Sequence, residues 1–235
     1  KAGHKIGSLT VNVIRLSLAV LLLGITTFFT RGFFFPMDAT QYQWFWLGIS
    51  GVVGFFLGDL FLFKSYTVIG SRTAQLIMSL SPMLTALIGW FFLDEKLSVK
   101  SILGIVICVT GIIVAISNRN MKLNIPFKGF LLAFGGALGQ AIGLILSKKG
   151  IGNYDPVAAT QIRALFGLVC FVLFITFLGR WKQVASAFSK KSALKSVTVG
   201  TFFGPFVGVA LSMFAIQHTK TGIASTLMAL VPVFI

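Results

Sequence analysis

With 235 residues, 56% of them hydrophobic and only 11% charged, the chain cannot be an ordinary soluble domain, in which about 25% of residues are charged. A net charge of +15 suits a nucleic-acid binder only where basic residues line a face together with exposed aromatics. Here they sit in short connections between apolar runs, as membrane-flanking charges do, so no nucleic-acid partner is expected.

In chain order, the uncharged runs predict eight helical segments, at about 9–29, 44–63, 73–93, 99–117, 127–147, 156–178, 196–217 and 222–235. Between Arg72 and Asp94 lie 21 uncharged residues, and between Lys195 and His218 there are 22. About 20 apolar residues suffice to cross a bilayer as a helix, whereas barrel strands need only about 9–11 and alternate in polarity. The expected fold class is therefore an all-α integral membrane protein. The first run reads as a span rather than a cleavable leader, because seven more apolar runs follow. The longest connection, residues 179–195, leaves no room for a soluble domain. Cys108 and Cys170 lie in separate spans, and His4 and His218 share no ligand-like spacing with them. Neither a disulfide, a metal nor another cofactor is expected.

The chain also repeats itself. Sliding it by 150 residues places Gly54 on Gly204, Phe56 on Phe206, Gly58 on Gly208, Ala74 on Ala224, Met78 on Met228, Leu80 on Leu230 and Pro82 on Pro232. Those are seven identities in 32 positions without a gap. A shift of 148 sets Ile14-Arg15 on Ile162-Arg163. The repeat unit holds five spans, an odd number, so the second copy must enter the membrane in the opposite sense. Inverted repeats of this kind build secondary transporters, with the substrate site near the midplane between the halves. The register predicts one helix before residue 1 and one after residue 235, ten in all.

The stretch SPMLTALIGWFFLDEKLSVKSILGIVICVTGIIVAIS resembles the end of an EamA-like repeat of the drug/metabolite transporter superfamily. In that pattern a proline-bearing helix ends in a glutamate and a glycine-rich helix closes the repeat. Pro82, Glu95, Gly104 and Gly111 fill those positions, and the pattern's early-helix arginine falls on Arg15 and Arg163. The resemblance covers essentially the whole chain. It implies a first repeat over 1–117 lacking its first helix and a second over 127–235 lacking its last. It implies a central cavity and movement, by export, of small metabolites such as amino acids or related compounds, commonly with proton exchange. A bacterial plasma (inner) membrane location follows from the same likeness. Whether the carrier forms a homodimer stays open.

Asp59 is the sharpest candidate for chemistry. Of five acids, Asp38, Asp94, Glu95 and Asp155 sit at connections or span ends, and Asp59 alone lies well inside a span. An ionised side chain at the bilayer centre costs at least about 2.5–3.5 kcal/mol, so such groups face a cavity or a partner. Asp59 reads either as a protonatable coupling group or as a carboxylate paired with Arg15, Lys64 or another base to brace helices. Arg15 and Arg163, each about two turns into a span, either snorkel to the interface or bind a carboxylate or an anionic substrate group. Gln140, among small residues in GGALGQAIG, and Gln217, near its span's end, offer neutral hydrogen bonds to substrate or to neighbouring helices. Pro82 and Pro232 are expected to break their helices, Pro82 in the middle of its span, freeing a carbonyl for a cavity or merely kinking the packing. Glycines 51, 54, 58, 204 and 208 supply faces for close helix contact. Glu95 is expected to cap the start of the next helix or, as the family resemblance implies, to constrain how the two helices meet.

Connections at 1–8, 64–72, 118–128 and 180–195 hold twelve Lys/Arg against six in the alternate set. That bias places the first set in the cytoplasm, while the family resemblance favours the opposite orientation. The leading expectation is a secondary carrier working by alternating access between substrate, lipid bilayer and, through Asp59, protons. The alternative is a polytopic membrane enzyme acting on lipid-linked substrates, which would need clustered His, Asp or Glu at a membrane face. A structural or receptor-like bundle is the third, and the inverted repeat argues against it.

Overall fold

A computed structural model of the protein describes residues 7–116 and 126–229, all helix and short connections among those residues. Helix α1 spans Ser8–Arg31 and stops at Gly32, whose left-handed backbone lets its N–H bond Phe28 O. A capping box of Thr40 and Gln43 starts α2, Gln41–Gly51. Without interruption α2 enters a π-helical turn, Val52–Gly58, and then α3, Asp59–Met78. The remaining helices are α4 (Ser81–Leu93), α5 (Val99–Ile116), α6 (Phe127–Ile151) and α7 (Pro156–Phe177). After the short α8 (Trp181–Phe188) come α9 (Lys191–Thr201), a second π-helical turn (Phe202–Gly208), α10 (Val209–His218) and α11 (Thr221–Met228).

Among the described residues, five helical stretches are long and apolar enough to cross a membrane: Ser8–Arg31, Gln41–Met78, Phe127–Ile151, Pro156–Phe177 and Ser192–His218. Two shorter apolar helices, α4 and α5, accompany them. Their outer faces carry bare aromatics, with Phe29 82%, Phe92 76% and Phe177 87% exposed. The molecule is an all-α membrane protein.

Local irregularities recur at a fixed interval. The two π-helical turns begin at Val52 and Phe202. The second contains Pro205, which has no N–H for the regular α-helical bond, so the turn widens there. At Gly70 the backbone leaves the helix with φ 78° and ψ 157°, a conformation open to glycine. Lys220 breaks the chain again, in extended conformation, before α11.

The expected span 73–93 is not one helix. α3 ends at Met78, Ser79 and Leu80 form a turn, and α4 starts at Ser81. Pro82 therefore occupies the first turn of α4 and not a helix interior. Its missing N–H falls where no intrahelical acceptor is needed, so no carbonyl is freed by a kink. Pro232 lies outside the described residues.

In lipid the hydrophobic effect adds little between helices, so close packing must hold the bundle. α6 runs antiparallel to α2 and α3 along a seam of glycines. A Cβ on Gly143 would fall 2.8 Å from Gly54 Cα, and one on Gly139 2.9 Å from Gly58 Cα. A Cβ on Gly51 would lie 2.2 Å from the Arg163 carbonyl oxygen of α7. These contacts bear out the small-residue face read at 51, 54 and 58. Around the seam, Leu16, Leu23, Phe55, Phe171 and Ile175 form one buried cluster. Leu47, Ile151, Ile162, Met213 and Ile216 form another.

Candidate functional site

The π-helical turn Val52–Gly58 delivers Asp59 into the protein interior, 4% exposed, as the first residue of α3. Such turns are frequent at functional sites. Arg15 of α1 donates from Nη2 to Asp59 Oδ2, closing an ion pair across 44 positions. Its guanidinium lies over the Phe63 ring, 5.6 Å from the centroid, and its Nε is buried with no partner. Of the bases open to Asp59, the structure selects Arg15.

Arg163 fares differently, although its sequence position matches that of Arg15. It is 4% exposed, with its guanidinium 5.0 Å from the Phe55 ring centroid. Nη1 approaches Met213 Sδ at 3.2 Å, and Nε is buried without a partner. Among the described residues it forms no ion pair, although it interacts electrostatically with Asp59. Both guanidiniums lie against aromatic side chains of the bundle.

Asn12, one turn before Arg15 on α1, is a buried polar residue that the sequence reading missed. It is 1% exposed, and neither its Oδ1 nor its Nδ2 has a hydrogen-bond partner. Its spacing from Arg15 was the available signal. Gln140 is half-buried on α6 beside the glycine seam. Gln217 does not join this cluster. Its Nε2 donates to Gly152 O (2.7 Å) and Tyr154 O (2.9 Å), tying α10 to the α6–α7 link.

A second polar constellation closes one end of the bundle. Glu95 Oε2 accepts from Thr221 N at 2.7 Å and from Thr221 Oγ1 at 2.6 Å, while Lys148 Nζ stands 3.6 Å from Oε1. Lys148 also donates to Thr219 O at 2.6 Å. Glu95 therefore caps α11, not the following helix as expected. The left-handed Asp94 turns the chain back after α4, and Ser98 Oγ already caps α5 through Ser101 N. The unsatisfied N–H at the start of α11 then draws the carboxylate. At the same end Arg31 pairs with Asp38, and both hydrogen-bond Tyr154. Burial, reinforced by the Asp38 hydrogen bond and opposed by Arg31, pushes the Tyr154 phenol up to about 12.

The opposite end, with Ser8, Lys64, Thr67 and Arg180, holds a 480 Å³ cleft between α1, α3, α6, α7 and α8. Its basic residues belong to the cation-rich set of connections, whereas Asp38, Asp94, Glu95 and Asp155 lie in the other set.

Comparison with known proteins gives the fold a lineage. The EamA-like transporter family model matches residues 1–117 and 127–235. Uncharacterized transporter YxxF of Bacillus subtilis (strain 168) is 33% identical over 144 residues, 57% of this chain and 46% of that protein. Solute carrier family 35 member G1 of Homo sapiens is 26% identical over 143 residues, 57% of this chain and 39% of that protein. The chain spans about half the length of the curated relatives it matches. A solved crystal structure superposes with a TM-score of 0.58 on 100% of this chain and 83% of its own, at 17% identity. That last likeness is one of fold alone.

Proposed function

The chain belongs to the EamA-like transporter family of the drug/metabolite transporter superfamily, and on that premise we propose that the protein is a secondary-active exporter of small metabolites. The observation that carries this reading is the ion pair of Arg15 with the buried Asp59, with the buried Arg163 in electrostatic reach of the same carboxylate. Buried charges are expensive in a membrane and mark the paths of ions and substrates.

Alternating access between two inverted repeats, 1–117 and 127–235 in a ten-helix carrier, is supported by the recurring geometry. The π-helical turns at Val52 and Phe202, and the breaks at Gly70 and Lys220, both recur at the 150-residue shift of the sequence repeat. The Glu95–Thr221 clasp joins the two halves and acts as a gate closed at its end of the molecule. Amino acids or related compounds are the substrates that the family resemblance favours, and a bacterial inner membrane is the setting.

In this reading Asp59 carries the coupling proton. Ionised, it holds Arg15. Protonated, it can no longer neutralise the guanidinium, and a buried ion pair that loses one partner is strongly disfavoured. Proton binding therefore releases Arg15 toward substrate or a new helix arrangement, linking the proton to the conformational change. Gln140 lines the path, and Gln217 holds the closed end.

The test is solute exchange by the full-length protein in liposomes, run across a panel of amino acids and small organic acids. Exchange of at least one member above protein-free liposomes is expected, slowed by Arg15→Gln. A stable, well-folded preparation that exchanges none of them contradicts the reading.

A further inference from the structure

We propose that the transported substrate carries an anionic group, a carboxylate or a phosphate, and that Arg163 is its counter-ion. The inference rests on the carrier reading and names the substrate class of that same site.

It starts from an asymmetry between matched positions. Arg15 and Arg163 correspond at a shift of 148, and the residues that follow the two π-helical turns, Asp59 and Val209, correspond at 150. The repeat that sets a carboxylate after the first π-helical turn sets a valine after the second. What the Arg163 guanidinium finds is the Met213 sulfur at 3.2 Å and the Phe55 face at 5.0 Å. Neither neutralises a charge.

No other carboxylate in the chain takes the place. Asp59 is paired with Arg15 and Asp38 with Arg31. Glu95 caps α11, Asp155 caps α7 through Ala158 N, and Asp94 sits in the α4–α5 link. The interior cluster thus holds two cations and one anion. A buried guanidinium that must share the one interior carboxylate with a second cation is under-neutralised in a low-dielectric interior, and its planar fork matches carboxylate and phosphate oxygens in pairs. Nη2 packs toward the Gly54 backbone, where a Cβ would stand only 3.3 Å from it.

The experiment is a thermal-shift titration of the full-length protein in detergent with matched probes. These are succinate against succinamide, acetate against acetamide, glycerol 3-phosphate against glycerol, and inorganic phosphate alone. Stabilisation confined to the anionic members is expected, and the carboxylate and phosphate arms show which source of charge the site takes. Arg163→Gln should weaken the apparent Kd for the responding anion at least tenfold, and Arg163→Lys should retain part of it. Equal response to neutral members, or no response to any anion at millimolar concentration, overturns the proposal. So does unchanged anion affinity in Arg163→Gln. If the variants do not fold, the wild-type selectivity alone decides. Counterflow in liposomes separates the two readings. Transport of neutral solutes only leaves the carrier standing and removes the anion site, whereas anion binding without counterflow does the reverse.

Discussion

Glu95, just past the end of α4, accepts two hydrogen bonds from Thr221, 126 residues further on, at the first residue of α11. A charged acceptor bonded to an otherwise orphaned backbone N–H is worth about 1.5–3 kcal/mol. Glu95→Ala should therefore lower stability by about 2–3 kcal/mol, seen as a lower Tm in detergent. Glu95→Gln keeps an acceptor and should lose about half as much. Equal loss in both variants would mean that the hydrogen bonds to Thr221 are not what the carboxylate contributes.

In the Arg15–Asp59 pair the carboxylate is buried, 5% exposed, and the guanidinium side chain is 20% exposed. Removing Arg15 should cost about 3–5 kcal/mol, because Asp59 is left as a lone buried charge, and removing Asp59 should cost less, because Arg15 reaches solvent. Arg15→Gln combined with Asp59→Asn should recover much of that loss, and a double-mutant cycle on unfolding free energies measures the coupling. Additive losses would contradict the pairing.

Glycine substitutions have an internal control. Gly51→Ala forces a Cβ to within 2.2 Å of the Arg163 carbonyl, and Gly143→Ala brings one to 2.8 Å of Gly54 Cα. Overpacking of this kind costs about 1–3 kcal/mol or more. Gly104→Ala and Gly111→Ala in α5 meet nothing within 4 Å and should be neutral or stabilising by up to about 1 kcal/mol. Thermal unfolding of the four variants should separate them into two classes.

Pro82 opens α4, so Pro82→Ala should change stability by less than about 1 kcal/mol. A gain near the roughly 3 kcal/mol that an interior proline costs would instead place it inside a continuous helix.

Tyr154 titrates near 12 in the folded protein, against about 10 when unfolded. Its contribution is intact below pH 10 and is lost as the pH rises from about 10 through 12, because the unfolded chain ionises first. Tyr154→Phe should flatten that alkaline loss in a pH series of Tm values, while removing the 3.0 Å bond to Asp38.

Much of this was legible in the sequence, for identifiable reasons. Helical spans show because every charge inside lipid is expensive, so Lys and Arg collect where helices end. The faces at Gly51, Gly54 and Gly58 show because close backbone approach tolerates little else. Asp59 stood out as the one acid deep in a span, and its partner was among the bases considered. The turn at Ser79-Leu80 stayed hidden because hydropathy runs unbroken through it, and so Pro82 was assigned to a helix interior. The reach of Glu95 to Thr221 stayed hidden because no local pattern encodes a contact across 126 residues. The different fates of Arg15 and Arg163 emerge only when the carboxylate and the valine after the two π-helical turns are set in space.

The proposed role of Asp59 is tested most directly by solute-driven proton movement. Full-length protein is sealed in liposomes with a trapped pH-sensitive dye, and each member of the solute panel is added outside. The account predicts that a transported solute shifts the internal pH with wild-type protein, and that Asp59→Asn exchanges the same solute without the pH shift. A pH shift of wild-type size from Asp59→Asn would contradict it.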